Sequence, residues 1–260
     1  MTILHSLIFG IVEGLTEFLP ISSTFHLITV GRLLGLESNP FTSMFEVVIQ
    51  GGAILSLLFI YTQTFLKNHT LTLKVLFSFI PTAVIGLILY KVIKGVFFST
   101  NALMLAVFVG IGILFLLIEH RVTLGKLSLH KSLTSISWKE ALLIGLAQST
   151  AVIPGVSRSG SVILLMMYLG FRRDEAAKYT FLLSVPTILA ASFLDLYQNR
   201  LIFVDNPANF TPLAVGFIAS FIVAYLVVQW LLHYLGSHTL RLFAWYRFAI
   251  AIFILFILGV

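Results

Sequence analysis

Cysteine is absent from this chain of 260 residues. Disulfides, zinc held by thiolates and cysteine nucleophiles are therefore excluded. Charge is scarce as well. Asp, Glu, Lys and Arg make up 10% of the residues, against about a quarter in ordinary soluble domains. With 59% hydrophobic residues and a mean hydropathy of +1.05, the composition is that of a polytopic membrane protein. The small basic excess does not point to nucleic acid, because the basic residues are scattered between apolar runs. Residues 1–12 lack a basic n-region and a small-residue cleavage site, so no removed leader is expected.

What is present is first a set of long apolar runs. Six of them, roughly 43–61, 72–92, 101–118, 178–197, 212–235 and 241–259, approach the ~20 residues a spanning helix needs. Two further apolar regions, 1–36 and 139–171, are broken by Gly, Pro and polar residues. Neither reads as one clean helix. Each is long enough to enter the membrane and return, which is tolerated where protein or water covers the break. The two broken regions also resemble each other: Gly10 aligns with Gly145, Glu13 with Gln148 and Pro20 with Pro154. Each is followed by three spans. The expected fold is an all-α polytopic membrane protein, a single domain over 1–260. Its halves, about 1–120 and 139–260, form an inverted-topology repeat, each with one re-entrant helical hairpin and three transmembrane helices. Lys67, Lys74, Arg121, Arg172, Arg241 and Arg247 fall with most other basic residues on one side, while Arg32, Lys91, Lys94 and Arg200 fall on the other. The richer side is expected to be cytoplasmic, which opens the first broken region outward.

The chemistry sits in the breaks. In "VEGLTEFLPISSTFH", Glu13 and Glu17 are four apart and share a face if helical. Two carboxylates inside a membrane need compensation by a shared proton, a divalent cation or an arginine. Ser22, Ser23 and Thr24 can open a new helix whose free N–H groups face an anion. His26 follows Ser23 by three, within reach of a base–nucleophile pair if that turn is helical. In "PGVSRSGS", Gly155 and Gly160 permit close backbone approach, Ser157, Ser159 and Ser161 offer hydroxyls, and Arg158 offers a fork for phosphate oxygens. An Arg within apolar surroundings needs an anion to meet it. Together the two breaks describe a site for phosphate on a lipid-borne substrate, with a metal on Glu13 and Glu17 and with Arg158 neutralising a polyanionic head group.

These motifs, with "FEVVIQGGAIL", "FLLSVPTIL" and "WYR", resemble the undecaprenyl pyrophosphate phosphatases of the bacitracin-resistance type over nearly the whole chain. The resemblance implies removal of the terminal phosphate of a C55 isoprenyl pyrophosphate, recycling the carrier for cell-wall synthesis. It implies an inverted repeat, a site facing outward from the bacterial plasma membrane, and a divalent cation, Mg2+ or Ca2+. Carried over by position, Glu13 and Glu17 are the acidic pair and metal ligands, Ser23 the nucleophile and His26 its neighbour. Ser157, Arg158 and Ser159, with Gly155 and Gly160, bind phosphate. Attack comes from Ser23 deprotonated by His26, or from a water activated by Glu17 or His26. Two residues of the paired motifs depart from the family's pattern: Phe25 stands where Gly is usual, and Val162 where Thr is usual, with a hydroxyl one residue earlier at Ser161; Gly51 also stands where a larger apolar residue is common. A Phe in a turn of positive φ would be strained. The expected partners are the bilayer and the polyprenyl pyrophosphate, with a homodimer admitted and nucleic acid excluded. The alternative is a secondary transporter or lipid-carrier translocase, which shares inverted repeats and broken helices but needs no nucleophile.

Overall fold

The computed structural model describes the chain apart from residues 38, 97–100, 154 and 259–260, and leaves the side chains of 89–96, 101 and 257–258 undescribed. Pro154, the expected counterpart of Pro20, therefore lies outside the described residues, as do the side chains of Lys91 and Lys94 and the end of the 241–259 run.

Among the described residues the chain is helical, with a single isolated bridge between Lys131 and Phe171 and no strand. The first broken region folds as α1 (Ile3–Thr16) and α2 (Ser23–Leu33), followed by the long helices α3 (Pro40–Lys67), α4 (His69–Val96) and α5 (Asn101–Thr123). The second folds as α6 (Trp138–Ser149) and α7 (Arg158–Tyr168). After it come α8 (Arg173–Gln198), the short α9 (Leu201–Asp205), α10 (Phe210–Ser237) and α11 (Arg241–Leu258). Local signals start these helices where polar residues precede apolar runs. Asn39 caps α3 in a reciprocal box with Thr42, with Pro40 at the first position. Ser137 and Glu140 do the same for α6.

Among the described residues, five helices, α3, α4, α5, α8 and α10, are long and apolar enough to cross a membrane. Their outward faces carry Phe59, Leu87 and Ile88, each 70% exposed or more. Water would make such a surface an aggregation site, and lipid makes it the ordinary exterior. The chain is a multi-pass helical membrane protein.

The broken regions pack against the long helices, with Leu4 and Leu7 of α1 and Leu146 of α6 left exposed. α1 lies along α10 and α6 along α4, while α3 packs on α10 and α8, α4 on α8, and α5 on α11. α1 also packs on α2, and α6 on α7. Several of these approaches need glycine. A Cβ on Gly10 would stand 2.3 Å from the Gly216 carbonyl oxygen, and one on Gly145 would stand 2.1 Å from that of Ser78. Small residues let membrane helices meet backbone to backbone, where van der Waals contact replaces the missing hydrophobic drive. Ser78 adds a hydrogen bond to the Ala141 carbonyl at 2.6 Å. One basic residue is placed differently from the sequence expectation. Arg247, assigned to the basic side, is fully buried within the bundle because its guanidinium finds backbone carbonyls there, so it adds nothing to the charge of a loop.

Candidate active site

The first break begins earlier than Pro20. α1 ends at Thr16, whose hydroxyl turns back onto the Val12 carbonyl at 2.7 Å, and Glu17 is its C-cap. Phe18 and Ile21 drop into the core and anchor the turn. Ser22 then takes φ 68° and ψ 91°, the one non-glycine residue with positive φ among those described. α2 starts directly after it, with no side-chain cap from Ser22 on its N–H groups. The second break is built on glycine. Gly155 has φ 91°, and a Cβ there would lie 2.4 Å from the Met104 carbonyl oxygen. Ser157 caps α7 by accepting from the Gly160 N–H at 3.1 Å.

The two breaks meet at Glu17. Its Oε1 accepts from Arg158 Nη2 at 2.5 Å, and its Oε2 accepts from the Ser23 hydroxyl at 2.5 Å. The ion pair is nearly closed off, with side-chain exposures of 13% for Arg158 and 6% for Glu17. Such a pair is costly to break by removing one partner, which leaves a buried charge alone. A second tie joins the breaks: Ser159 donates to the Leu19 carbonyl at 3.0 Å and sits 3.0 Å from the Ser157 hydroxyl. Glu17, Ser23, Thr24, Ser157 and Arg158 line a common cavity of about 230 Å³. The starts of α2 and α7 therefore face one space, where helix N-termini favour an anion.

The remaining lining was not found from sequence. Gln148 of α6 is fully buried and donates through Nε2 to the hydroxyls of Thr82 and Thr187, at 2.9 and 3.0 Å. Gln50 joins them on the cavity wall. The signal was present: a Pro-Thr pair interrupts two apolar runs, as Pro81-Thr82 in α4 and Pro186-Thr187 in α8. Glu46, a lone acid inside the run 43–61, was missed too. An ionisable residue within a span is a functional candidate by default.

Glu13 does not line the cavity among the described residues. It is fully buried behind Glu17, and neither of its carboxylate oxygens has a hydrogen-bond donor. His26 turns away from Ser23: its Nδ1 lies 2.7 Å from the Ser22 carbonyl oxygen and its Nε2 2.9 Å from the Tyr246 hydroxyl. The proton-accepting position beside Ser23 is occupied by Glu17 instead.

A family described as bacitracin resistance protein BacA matches residues 6–253. The chain belongs to this family. The BacA match takes in most of the first broken region, all of the second and most of α11. Among relatives, the undecaprenyl-diphosphatase of Sulfurihydrogenibium sp. is 41% identical over 252 residues, 97% of this chain and 98% of the relative. That of Aquifex aeolicus is 40% identical over 252 residues, 97% of each. That of Campylobacter fetus subsp. fetus is 40% identical over 264 residues, covering 99% of this chain and 100% of the relative.

The two departures of the paired motifs from the BacA pattern are accommodated. Phe25 lies inside α2, fully buried and stacked on Phe108 with centroids 4.0 Å apart. The positive φ expected of that position falls on Ser22, so Phe25 is not strained. Val162 is buried in the core, and Ser161 bonds the Arg158 carbonyl at 3.0 Å on its own helix rather than facing the cavity.

Proposed function

We propose that the cavity between the two breaks removes the terminal phosphate of a long-chain polyprenyl (undecaprenyl) pyrophosphate, recycling the lipid carrier for cell-wall synthesis. The chain is then an undecaprenyl-diphosphate phosphatase, a phosphoanhydride hydrolase, in keeping with the name its relatives carry. The observation that carries this reading is the double engagement of Glu17, with a guanidinium on one oxygen and a serine hydroxyl on the other. A translocase would have no use for the Ser23–Glu17 bond.

Arg158 and the N–H groups at the starts of α2 and α7 receive the phosphoryl oxygens. Ser23 Oγ attacks the terminal phosphorus while Glu17 takes its proton. The bond to the bridging oxygen breaks, and the prenyl monophosphate leaves. Glu17 gives up that proton to water, then takes one from the water that opens the serine phosphate, and Ser23 recovers it. Phosphoryl transfer needs chiefly positioning and neutralisation of charge, which few groups can supply.

Glu13, whose buried oxygens lack a donor, would hold a hard divalent cation, Mg2+ or Ca2+, together with Glu17. Among the described residues no group of three or more His, Cys, Asp or Glu gathers for a metal, so the substrate would complete the shell. When bound, such a cation neutralises charge on the phosphoryl oxygens.

The same reading makes the chain two inverted halves, each a re-entrant hairpin and three spans. Exchanging α1 with α6, α3 with α8, α4 with α10 and α5 with α11 turns each pairing of these helices, except that of α1 with α3, into another that is present, which supports the repeat. Gly10 and Gly145 make matching backbone approaches. α1, at 14 residues, is about 21 Å long, short of the ~30 Å hydrocarbon core. The excess of basic residues on the side expected to be cytoplasmic supports a cavity mouth that opens to the outer face of the plasma membrane.

Detergent-purified protein tests the reading with no gradient or second compartment. It is expected to release phosphate from a long-chain prenyl diphosphate and to stop when a chelator is added. Transfer of the intact diphosphate across a vesicle membrane without phosphate release would overturn it.

A further inference from the structure

Tyr246 and Arg247 are consecutive residues of α11 that take no part in the chemistry above, yet both reach the reactive turn from outside the two breaks. Arg247 donates from Nε to the Pro20 carbonyl and from Nη1 to the Phe108 carbonyl, each at 2.9 Å. Its guanidinium lies 4.6 Å from the centre of the Phe108 ring, the ring that Phe25 stacks upon. Tyr246 reaches the turn through His26, whose ring it also stacks against at 5.7 Å.

The hydrogen bonds fix the histidine's role. Nδ1 faces the Ser22 carbonyl oxygen, which can only accept, so Nδ1 carries a proton. In the neutral ring Nε2 is then the acceptor, and it takes the Tyr246 hydroxyl. That nitrogen is not free for Ser23, whose own hydroxyl donates to Glu17. Between the carbonyls of Pro20 and Ser22, the ones Arg247 and His26 hold, the chain enters the positive φ of Ser22. A non-glycine residue in such a conformation is strained and persists only where its surroundings hold it.

We propose that Tyr246 and Arg247 are positioning residues for the phosphatase reaction: they clamp the carbonyls of the strained turn, Tyr246 through His26, so that the Ser23 hydroxyl stays on Glu17. His26 is then the relay of this clamp and not the base. The inference rests on the roles given to Ser23 and Glu17 above. It also gives Phe25 a use, since Phe25 packs the Phe108 ring that Arg247 covers.

The test compares phosphate release from a long-chain prenyl diphosphate by wild type, His26→Asn, His26→Ala, Tyr246→Phe and the double variant His26→Ala/Tyr246→Phe. Asparagine can place an amide N–H on the Ser22 carbonyl but has no basic nitrogen. His26→Asn is expected to keep a kcat about tenfold or more above that of His26→Ala, where loss of a general base would leave both alike. Tyr246→Phe is expected to lower kcat about fivefold with KM unchanged, and to have no further effect once His26 is Ala. Asn as inactive as Ala, Tyr246→Phe equal to wild type, or losses that multiply in the double variant would each overturn the clamp. An inactive wild type would instead reject the phosphatase reading itself. Arg247→Lys, which keeps one donor for the Pro20 carbonyl, is expected to retain more activity than Arg247→Met at equal folded yield, and equality of the two would count against the clamp.

Discussion

The turn of the first break carries the carboxylate and the hydroxyl, and it is held from outside. Ser159 takes the Leu19 carbonyl, Arg247 that of Pro20 and His26 that of Ser22. The turn of the second break carries the guanidinium and holds itself. Gly155 accepts φ 91° without penalty, Ile153 and Val156 close short backbone bonds, and Ser157 caps α7. The two breaks have matching positions and opposite strategies. A serine at positive φ next to the reacting hydroxyl needs its neighbours to keep it there, whereas a glycine does not. Two residues that align in the sequence differ as well: Glu13 is buried with bare oxygens, while Gln148 is buried on two threonines.

Removing the charge that the second break contributes should have the largest effect. Arg158→Ala is expected to lower phosphate release by about 10³-fold, and Arg158→Lys to recover little of it, because a point charge does not replace the planar fork. Next comes the pair Glu13 and Gln148. Glu13→Gln is expected to raise the cation concentration for half-maximal activity about tenfold, and Gln148→Glu in that background not to restore it. A cation titration of the purified protein reads both. The matching approaches of Gly10 and Gly145 predict that Gly10→Val and Gly145→Val each destabilise by about 1–3 kcal/mol and to a similar degree, followed as thermal midpoint in detergent. The smallest effect separates the two turns themselves. Ser22→Gly should stabilise slightly, by about 1 kcal/mol or less, read as a higher thermal midpoint, while Gly155→Ser should lower the midpoint by more, because its Cβ also meets the Met104 carbonyl.

The spans were legible because lipid imposes a length and a composition, and five of the six apolar runs satisfy it among the described residues. The breaks were legible because charge, Gly and Pro are expensive there and had to be doing something. The residues they brought together, Glu17, Ser23 and Arg158, could be named for the same reason. The local course of the first turn was not legible. The helix stops at Thr16, well before Pro20, because Phe18 and Ile21 leave it for the core, and a local signal does not carry that information. The partner of His26 was equally out of reach, since Tyr246 is 220 residues away and the nearer Ser23 offered a familiar pairing. Phe25 looked strained only because the positive φ was assigned to it rather than to Ser22. Thr82 and Thr187 stayed hidden because a hydroxyl in a span usually bonds its own helix, and Thr187 does that too, on the Leu183 carbonyl, while also accepting from Gln148.

That the two breaks form one reacting unit is tested most directly by a double-mutant cycle on kcat between Glu17→Gln and Arg158→Ala, with folded yield measured in parallel. Groups that act together fail together, so the double variant is expected to stay within about threefold of the weaker single variant. Losses that multiply, as for two independent sites, would contradict it.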